Sequence, residues 1–132
     1  MALHVKRRHH PGWLRVRIPS GVTYNRIRTT LKENKINTVC EEAKCPNIAE
    51  CYGKGTATFL IMGDVCTRKC LYCNISSGTP KTLDRQEPGK IADTVKRLNL
   101  NYAVITSVTR DDLPDFGAEH FYNTVIEIRK LK

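Results

Sequence analysis

Six cysteines in two triplets constrain this chain more than any other feature. Cys40, Cys45 and Cys51 are spaced C-x4-C-x5-C, and Cys66, Cys70 and Cys73 are spaced C-x3-C-x2-C inside eight residues. Three thiols in a small space cannot pair off as disulfides without leaving one over. They can converge on an inorganic cluster, because iron–sulfur cubes are held by Cys thiolates, usually four. Three protein ligands leave one iron open, as catalytic metal sites do to admit a substrate. The competing reading is structural zinc, but such sites are closed by four ligands, typically as two C-x2-4-C pairs. Arg68 and Lys69 stand between ligands of the second triplet, where cations lower thiolate pKa values and offset cluster charge. Glu41, Glu42 and Glu50 lie among the first triplet and read as surface charges or neighbours of the ligands.

Composition bounds the rest. At 132 residues the chain is one domain's worth. No run approaches 18 apolar residues, so no membrane span is expected. The basic N-terminus is not followed by an apolar signal segment, and the expected location is cytoplasmic, where thiols stay reduced and ligate metal. The net charge of +9 is uneven: residues 1–35 carry nine Lys/Arg against Glu33 alone, and the remainder is close to neutral. A basic arm of this kind can dock an acidic protein or nucleic acid. Residues 1–12 lack an apolar period and read as a disordered basic head, in which His9 and His10 are surface residues.

Periodicity supplies the elements. Trp13 to Pro19 alternates apolar and basic residues, with Leu14, Val16 and Ile18 turned to a core. Tyr24, Ile27 and Leu31 line one face of a helix from about Thr23 to Lys35, with Thr23 as its N-cap. Pro46 opens a short helix that carries Cys51. Ala57 to Met62 reads as a strand leading straight into the second triplet, and Asn74 to Glu87 as a long, functional connection. Pro88 to Leu98 reads as a helix with Ile91, Val95 and Leu98 inward. Tyr102 to Val108 reads as a buried parallel strand ending in a polar loop, where α/β folds place chemistry. Ala118 to Lys132 closes the chain as a helix with Phe121, Val125 and Ile128 on one face, and His120 packs on it.

C-x3-C-x2-C after a first strand resembles the radical S-adenosylmethionine (SAM) superfamily. The ordered pair of triplets is similar to one family within it, the lipoyl synthases. The likeness runs from about Trp13 to Lys132 through TVCEEAKCPNIAEC, GDVCTRKCLYCNI, LDRQEP (Leu83 to Pro88) and TSVTRDDLPDFGAEHF (Thr106 to Phe121). It implies two [4Fe–4S] clusters, an auxiliary one on Cys40, Cys45 and Cys51 and a SAM-binding one on Cys66, Cys70 and Cys73. It implies cleavage of SAM to a 5′-deoxyadenosyl radical and insertion of two sulfurs at C6 and C8 of a protein-bound octanoyl-lysine, the auxiliary cube being the sulfur source. The implied partners are an octanoylated lipoyl carrier domain or glycine-cleavage H-type protein, and an electron donor such as ferredoxin or flavodoxin, with no nucleic acid and no membrane. Thr106, Ser107, Arg110 and Asp111 are the residues expected near SAM, and Tyr72 is placed on its adenine side.

The expected fold is α/β: the opening βα units of a partial (β/α) barrel, preceded by a cysteine-rich extension. The divisions are a head over 1–12, the extension over 13–56 and an incomplete, truncated barrel over 57–132. Two parallel strands alone are marginal, and a full barrel takes about 250 residues. In the family the auxiliary cube's fourth iron is held by serine in an Arg-Ser-Ser-Tyr motif, and this chain has only Ser76-Ser77, in another context. The alternatives are a different two-cluster radical SAM enzyme and, from another class, a metal-stabilised nucleic-acid-binding module. Against the latter, the basic charge lies outside the cysteine region and the aromatics are not interleaved with it.

Overall fold

The computed structural model describes residues 11–14, 18 and 20–131. The chain orders as a 3-10 turn (Gly12–Leu14), α1 (Val22–Glu33), α2 (Val39–Glu42), α3 (Ile48–Gly53), β1 (Thr56–Ile61), β2 (Val65–Cys66), β3 (Ser76–Ser77), α4 (Glu87–Leu98), β4 (Tyr102–Ser107) and α5 (Ala118–Arg129). β1 and β4 pair in parallel, Thr56 opposite Tyr102 through Ile61 opposite Ser107. α4 makes the crossover between them. This is the strand–helix–strand–helix order that the alternating patterns predict.

β1 is central although its sheet has two strands. Phe59 forms an antiparallel bridge with Thr38, and the Leu60 N–H donates to the Asn37 carbonyl at 2.9 Å. With β4 along one edge, this bridge must use the other. Ala57, Phe59 and Ile61 are fully buried. The extension and the βα units share one core, in which Tyr24, Ile27 and Leu31 of α1 join Tyr52, Phe59 and Ile91. Polar contacts tie α1 to α4 as well: Arg26 donates to the Leu98 carbonyl at 3.2 Å, and Asn34 donates to the buried Thr94 hydroxyl at 3.2 Å.

Several expectations are corrected. Ile18 does not face a core; it is 84% exposed, as Trp13 is 81% exposed. Val16 and the Leu14 side chain lie outside the described residues. Thr23 does not cap α1: Gly21, at φ 109°, occupies the cap position and Thr23 sits in the first turn. The α3 helix begins at Ile48, two residues after Pro46. β4 is parallel but not buried on both faces. Ala103 and Ile105 pack on the core, whereas Tyr102 and Val104 are exposed, because among the described residues no element covers that face. The long connection holds a strand the sequence did not signal, β3, paired in parallel with β2.

No helix among the described residues is long and apolar enough to cross a membrane.

The Tyr52 hydroxyl bonds the Thr38 hydroxyl at 2.9 Å inside the core, and Thr38 caps α2 by accepting the Glu41 N–H at 3.3 Å. Tyr52→Phe leaves a buried hydroxyl without that partner and should lower stability by about 1–3 kcal/mol. Ile27→Ala, which opens a cavity, should cost about 2–5 kcal/mol. Urea unfolding monitored by circular dichroism measures both. Equal stability of Tyr52→Phe and the parent would show that the bond braces nothing.

Candidate functional site

Each cysteine triplet is set by a local backbone device. In the first, Cys40 lies in α2, which ends in a Schellman turn. Lys44 takes the left-handed conformation (φ 51°), its N–H donates to the Glu41 carbonyl, and the Cys45 N–H donates to the Cys40 carbonyl at 3.1 Å. This 6→1 bond folds Cys45 back over Cys40, which is the physical content of the C-x4-C spacing. Pro46 follows, where the helix cannot continue. Cys51 rides on α3, one residue before Tyr52, whose hydroxyl is tied to the α2 cap. The Thr38–Tyr52 bond therefore braces the two helices that carry Cys40 and Cys51. Burial pushes the Cys40 thiol pKa up; the Thr58 backbone opposes this, while the nearby Cys45 and Cys51 thiols push the same way. A buried thiol with two further thiols near it forms a donor set that favours a cation among them.

The second triplet leaves β1 through a sharp turn. Met62 and Gly63 both have positive φ, 69° and 101°. Cys66 then pairs with Ser77 in the β2–β3 ladder, and the Gly78 N–H donates to the Cys66 carbonyl at 3.0 Å. The Thr109 N–H, just past β4, donates to Cys66 Sγ at 3.3 Å. Burial works against the Cys66 thiolate, yet the backbone N–H groups of Arg68 and Thr109 outweigh it and bring the thiol pKa below its usual value. N–H groups aimed at sulfur are what tune cluster thiolates. Cys70 and Cys73 are exposed at the loop tip with Leu71 and Tyr72, and Tyr72 bonds the Cys70 thiol and sits near Cys73.

The loop is fastened at its root. Arg68 makes a bidentate pair with Asp111, Nε to Oδ2 at 2.9 Å and Nη2 to Oδ1 at 2.8 Å. The Thr67 hydroxyl reaches the same carboxylate at 2.8 Å, and the Thr67 N–H donates to the Thr109 carbonyl at 3.1 Å. Arg68 and Thr67 hold the Asp111 carboxyl below the usual carboxylate range. Thr106 and Ser107 end β4 half-buried, opposite Leu60 and Ile61. Arg110 is 2% exposed and wholly engaged by protein: it donates to the Met62 carbonyl at 3.1 Å, to the Lys81 carbonyl at 3.0 Å and through two bonds to Asp112. Its geometry is that of an anchor. The segments that carry the two triplets are joined by a bond from Asn74 Nδ2 to the Glu42 carbonyl at 3.2 Å. Glu42 is raised above the usual carboxylate range by burial, then by Asp64 and Glu41.

Sequence reasoning missed the Asn74 and Thr67 links, which are pairings across more than thirty positions. It also missed Glu87, whose carboxylate accepts the Met62 N–H at 2.8 Å and bonds His120 Nε2 at 2.6 Å. The one available signal was the placement of Glu87 in LDRQEP. His120 is buried, as expected of a packing residue, and its ring bonds Glu87. A groove of about 1310 Å³ runs between the loops that precede α4 and α5 and is lined by no cysteine. The chemistry-bearing residues are therefore placed by the thiols and their donors, not by cavity size.

Comparison with known proteins follows this geometry. The N-terminal domain of lipoyl synthase of the radical SAM family matches residues 3–45, and the radical SAM superfamily matches residues 60–132. Lipoyl synthase of Alcanivorax borkumensis is 54% identical over 121 residues, covering 92% of this chain and 37% of that protein. Lipoyl synthase of Caldicellulosiruptor saccharolyticus is 54% identical over 121 residues, covering 92% and 42%. That of Azoarcus is 53% identical over 122 residues, covering 90% and 39%. The chain thus spans about two fifths of the length of these curated relatives.

The superfamily implies a [4Fe–4S] cluster and SAM, and the donor set fits. Among the described residues no three His, Cys, Asp or Glu side chains converge closely enough for a single metal ion. A cube takes each thiolate on a different iron and asks for no such convergence. Cys66 already receives N–H groups that favour its thiolate. By the match over residues 60–132, and by its identity to curated relatives across both triplets, the chain belongs to the radical SAM superfamily, within which it matches the N-terminal part of the lipoyl synthases.

Proposed function

We propose that this chain supplies the cluster-binding part of a sulfur-inserting radical SAM enzyme of the lipoyl synthase kind. The observation that carries the reading is the pair of triplets before and after β1, in a chain 54% identical over 121 residues to a relative named lipoyl synthase. Cys66, Cys70 and Cys73 hold the SAM cluster, and Cys40, Cys45 and Cys51 hold a second, auxiliary cluster. Bound, these groups supply a 5′-deoxyadenosyl radical for hydrogen abstraction from unactivated carbons, and sulfur for the positions so opened.

The chain's own residues prepare the place. Thr109 and Arg68 turn backbone N–H groups on Cys66 and stabilise its thiolate. Asp111 and Arg68 lock the loop to the end of β4, and Arg110 fastens the β1 end to it. Thr106 and Ser107, half-buried at the C-terminal ends of the paired strands, are the groups offered to SAM. Asp111 and Arg110 act on it through the loop they position. Tyr72, exposed beside Cys70, covers the adenine side. The substrate is an octanoyl-lysine on a carrier domain, met in the cytoplasm, with a ferredoxin- or flavodoxin-type donor for the electron. The basic residues of the N-terminal arm dock the acidic carrier.

Anaerobic reconstitution should load about eight iron and about eight sulfide per chain, the content of two cubes. Replacing Cys66, Cys70 and Cys73 by Ala should halve that content and abolish reductive SAM cleavage, with the second cube retained. Two zinc ions without sulfide would overturn the reading in favour of a metal-stabilised module.

Arg15→Glu with Arg17→Glu should weaken binding of an octanoylated acidic carrier domain by on the order of tenfold at low salt, and added salt should weaken the parent likewise. Calorimetric titration at two ionic strengths measures this. Unchanged binding in the double variant would remove the arm from the interface.

A further inference from the structure

The Met62–Gly63 turn is a strained point of the fold, where two successive residues have positive φ. Gly63 tolerates positive φ, but Met62 does not do so readily, and it is 4% exposed at φ 69°. A residue held in that region persists only where its surroundings over-determine it, and such residues cluster at functional sites. Here the surroundings are specific. Glu87 Oε2 accepts the Met62 N–H at 2.8 Å, and the same oxygen takes the His120 Nε2 hydrogen bond at 2.6 Å. Arg110 Nη1 donates to the Met62 carbonyl at 3.1 Å. Both polar groups of one residue's peptide frame are thus bound by buried or nearly buried ionisable side chains from two separate segments, and a third, His120, holds Glu87 in place. Gly117, itself at φ 87°, lies against the Met62 side chain; a Cβ there would run into Met62 Sδ. Asp115 fixes that corner by accepting the Gly117 and Glu119 N–H groups, both at 2.9 Å.

We propose that Glu87, Arg110, His120 and Gly117 form a clamp on Met62 that holds the left-handed exit from β1, and that this clamp sets where the Cys66–Cys73 loop stands relative to the strand ends. The loop tip cannot do this for itself, since Leu71 and Tyr72 are almost wholly exposed and Cys70 and Cys73 are exposed too. Its other fastenings, the β2–β3 ladder, Thr67 and Arg68 on Thr109 and Asp111, and Asn74 on the Glu42 carbonyl, all come after the Met62–Gly63 turn in the chain. The four clamp residues are positioning residues that act on the thiols through Met62. The consequence for SAM binding rests on the proposed role of those thiols; the mechanical claim does not.

The experiment is amide hydrogen exchange, read by mass spectrometry, on the whole chain before iron is added. Glu87→Ala should speed exchange across residues 62–66 by on the order of ten- to a hundredfold, the effect of losing a hydrogen bond to a charged group. Peptides from α1 should be unchanged. Glu87→Gln, which keeps an acceptor for the Met62 N–H, should recover most of the protection. Arg110→Lys keeps the charge but loses the fork, and should loosen the same segment; it decides the matter if Glu87→Ala does not fold. After reconstitution, Glu87→Ala should still carry a reduced cluster by electron paramagnetic resonance, with the spectral change on adding SAM weakened and then restored in Glu87→Gln. Unchanged exchange over 62–66, or equal loosening of α1 and this segment, would overturn the clamp. A parent chain that takes up no iron would instead overturn the reading of the thiols and leave the exchange result standing.

Discussion

The fold depends on the double use of one strand. β1 is bound by β4 along one edge and by the Asn37–Thr38 segment along the other. Backbone groups buried in a core must find partners, so a strand of fully buried residues such as Ala57, Phe59 and Ile61 needs both edges occupied. Once they are, the two cysteine groups have their places. Cys40 follows the bridge on one side by two residues, and Cys66 follows the strand's end by five. The C-x4-C-x5-C segment is not an appendage, because its helices contribute Tyr52 to the core that α1 and the βα units share.

Both leading thiols lie against this sheet and are treated differently. Cys40 is buried beside Thr58 of β1, where loss of water and its neighbouring thiols outweigh the backbone's help. Cys66 is less buried, and N–H groups from Arg68 and Thr109 win over desolvation. The Cys40 thiol is thus biased toward its neutral form, and the Cys66 thiol less so. Metal binding must displace a proton from the first and less so from the second.

Much of this was legible in the residues themselves. The 3.6-residue period located the buried faces of α1 and α4, and the β-branched run located β4, because those signals are local and the core enforces them; on α5 the buried residues are His120 and Thr124, while Phe121, Val125 and Ile128 are only half-buried. The spacing of the triplets named the kind of ligand, since thiol count and separation are properties of the chain alone. Legibility failed where a neighbour decides. Ile18 and the Tyr102–Val104 face read as core, but burial requires something to pack against. Thr23 read as a cap, but the helix starts one residue earlier, at Val22, and leaves Gly21 in the cap position.

The sequence by itself determined the elements, the thiol sets and the superfamily, because each is written in nearest-neighbour chemistry and fixed spacing. Only the tertiary structure decided how the thiols are held: Asn74 on Glu42, Arg68 on Asp111, Thr109 on Cys66, and Glu87 and Arg110 on Met62. Each of these joins positions at least 25 residues apart. Such a bond is worth little as a local preference, and exists only because β1 and β4 pair in one register and bring their C-terminal ends to the same place.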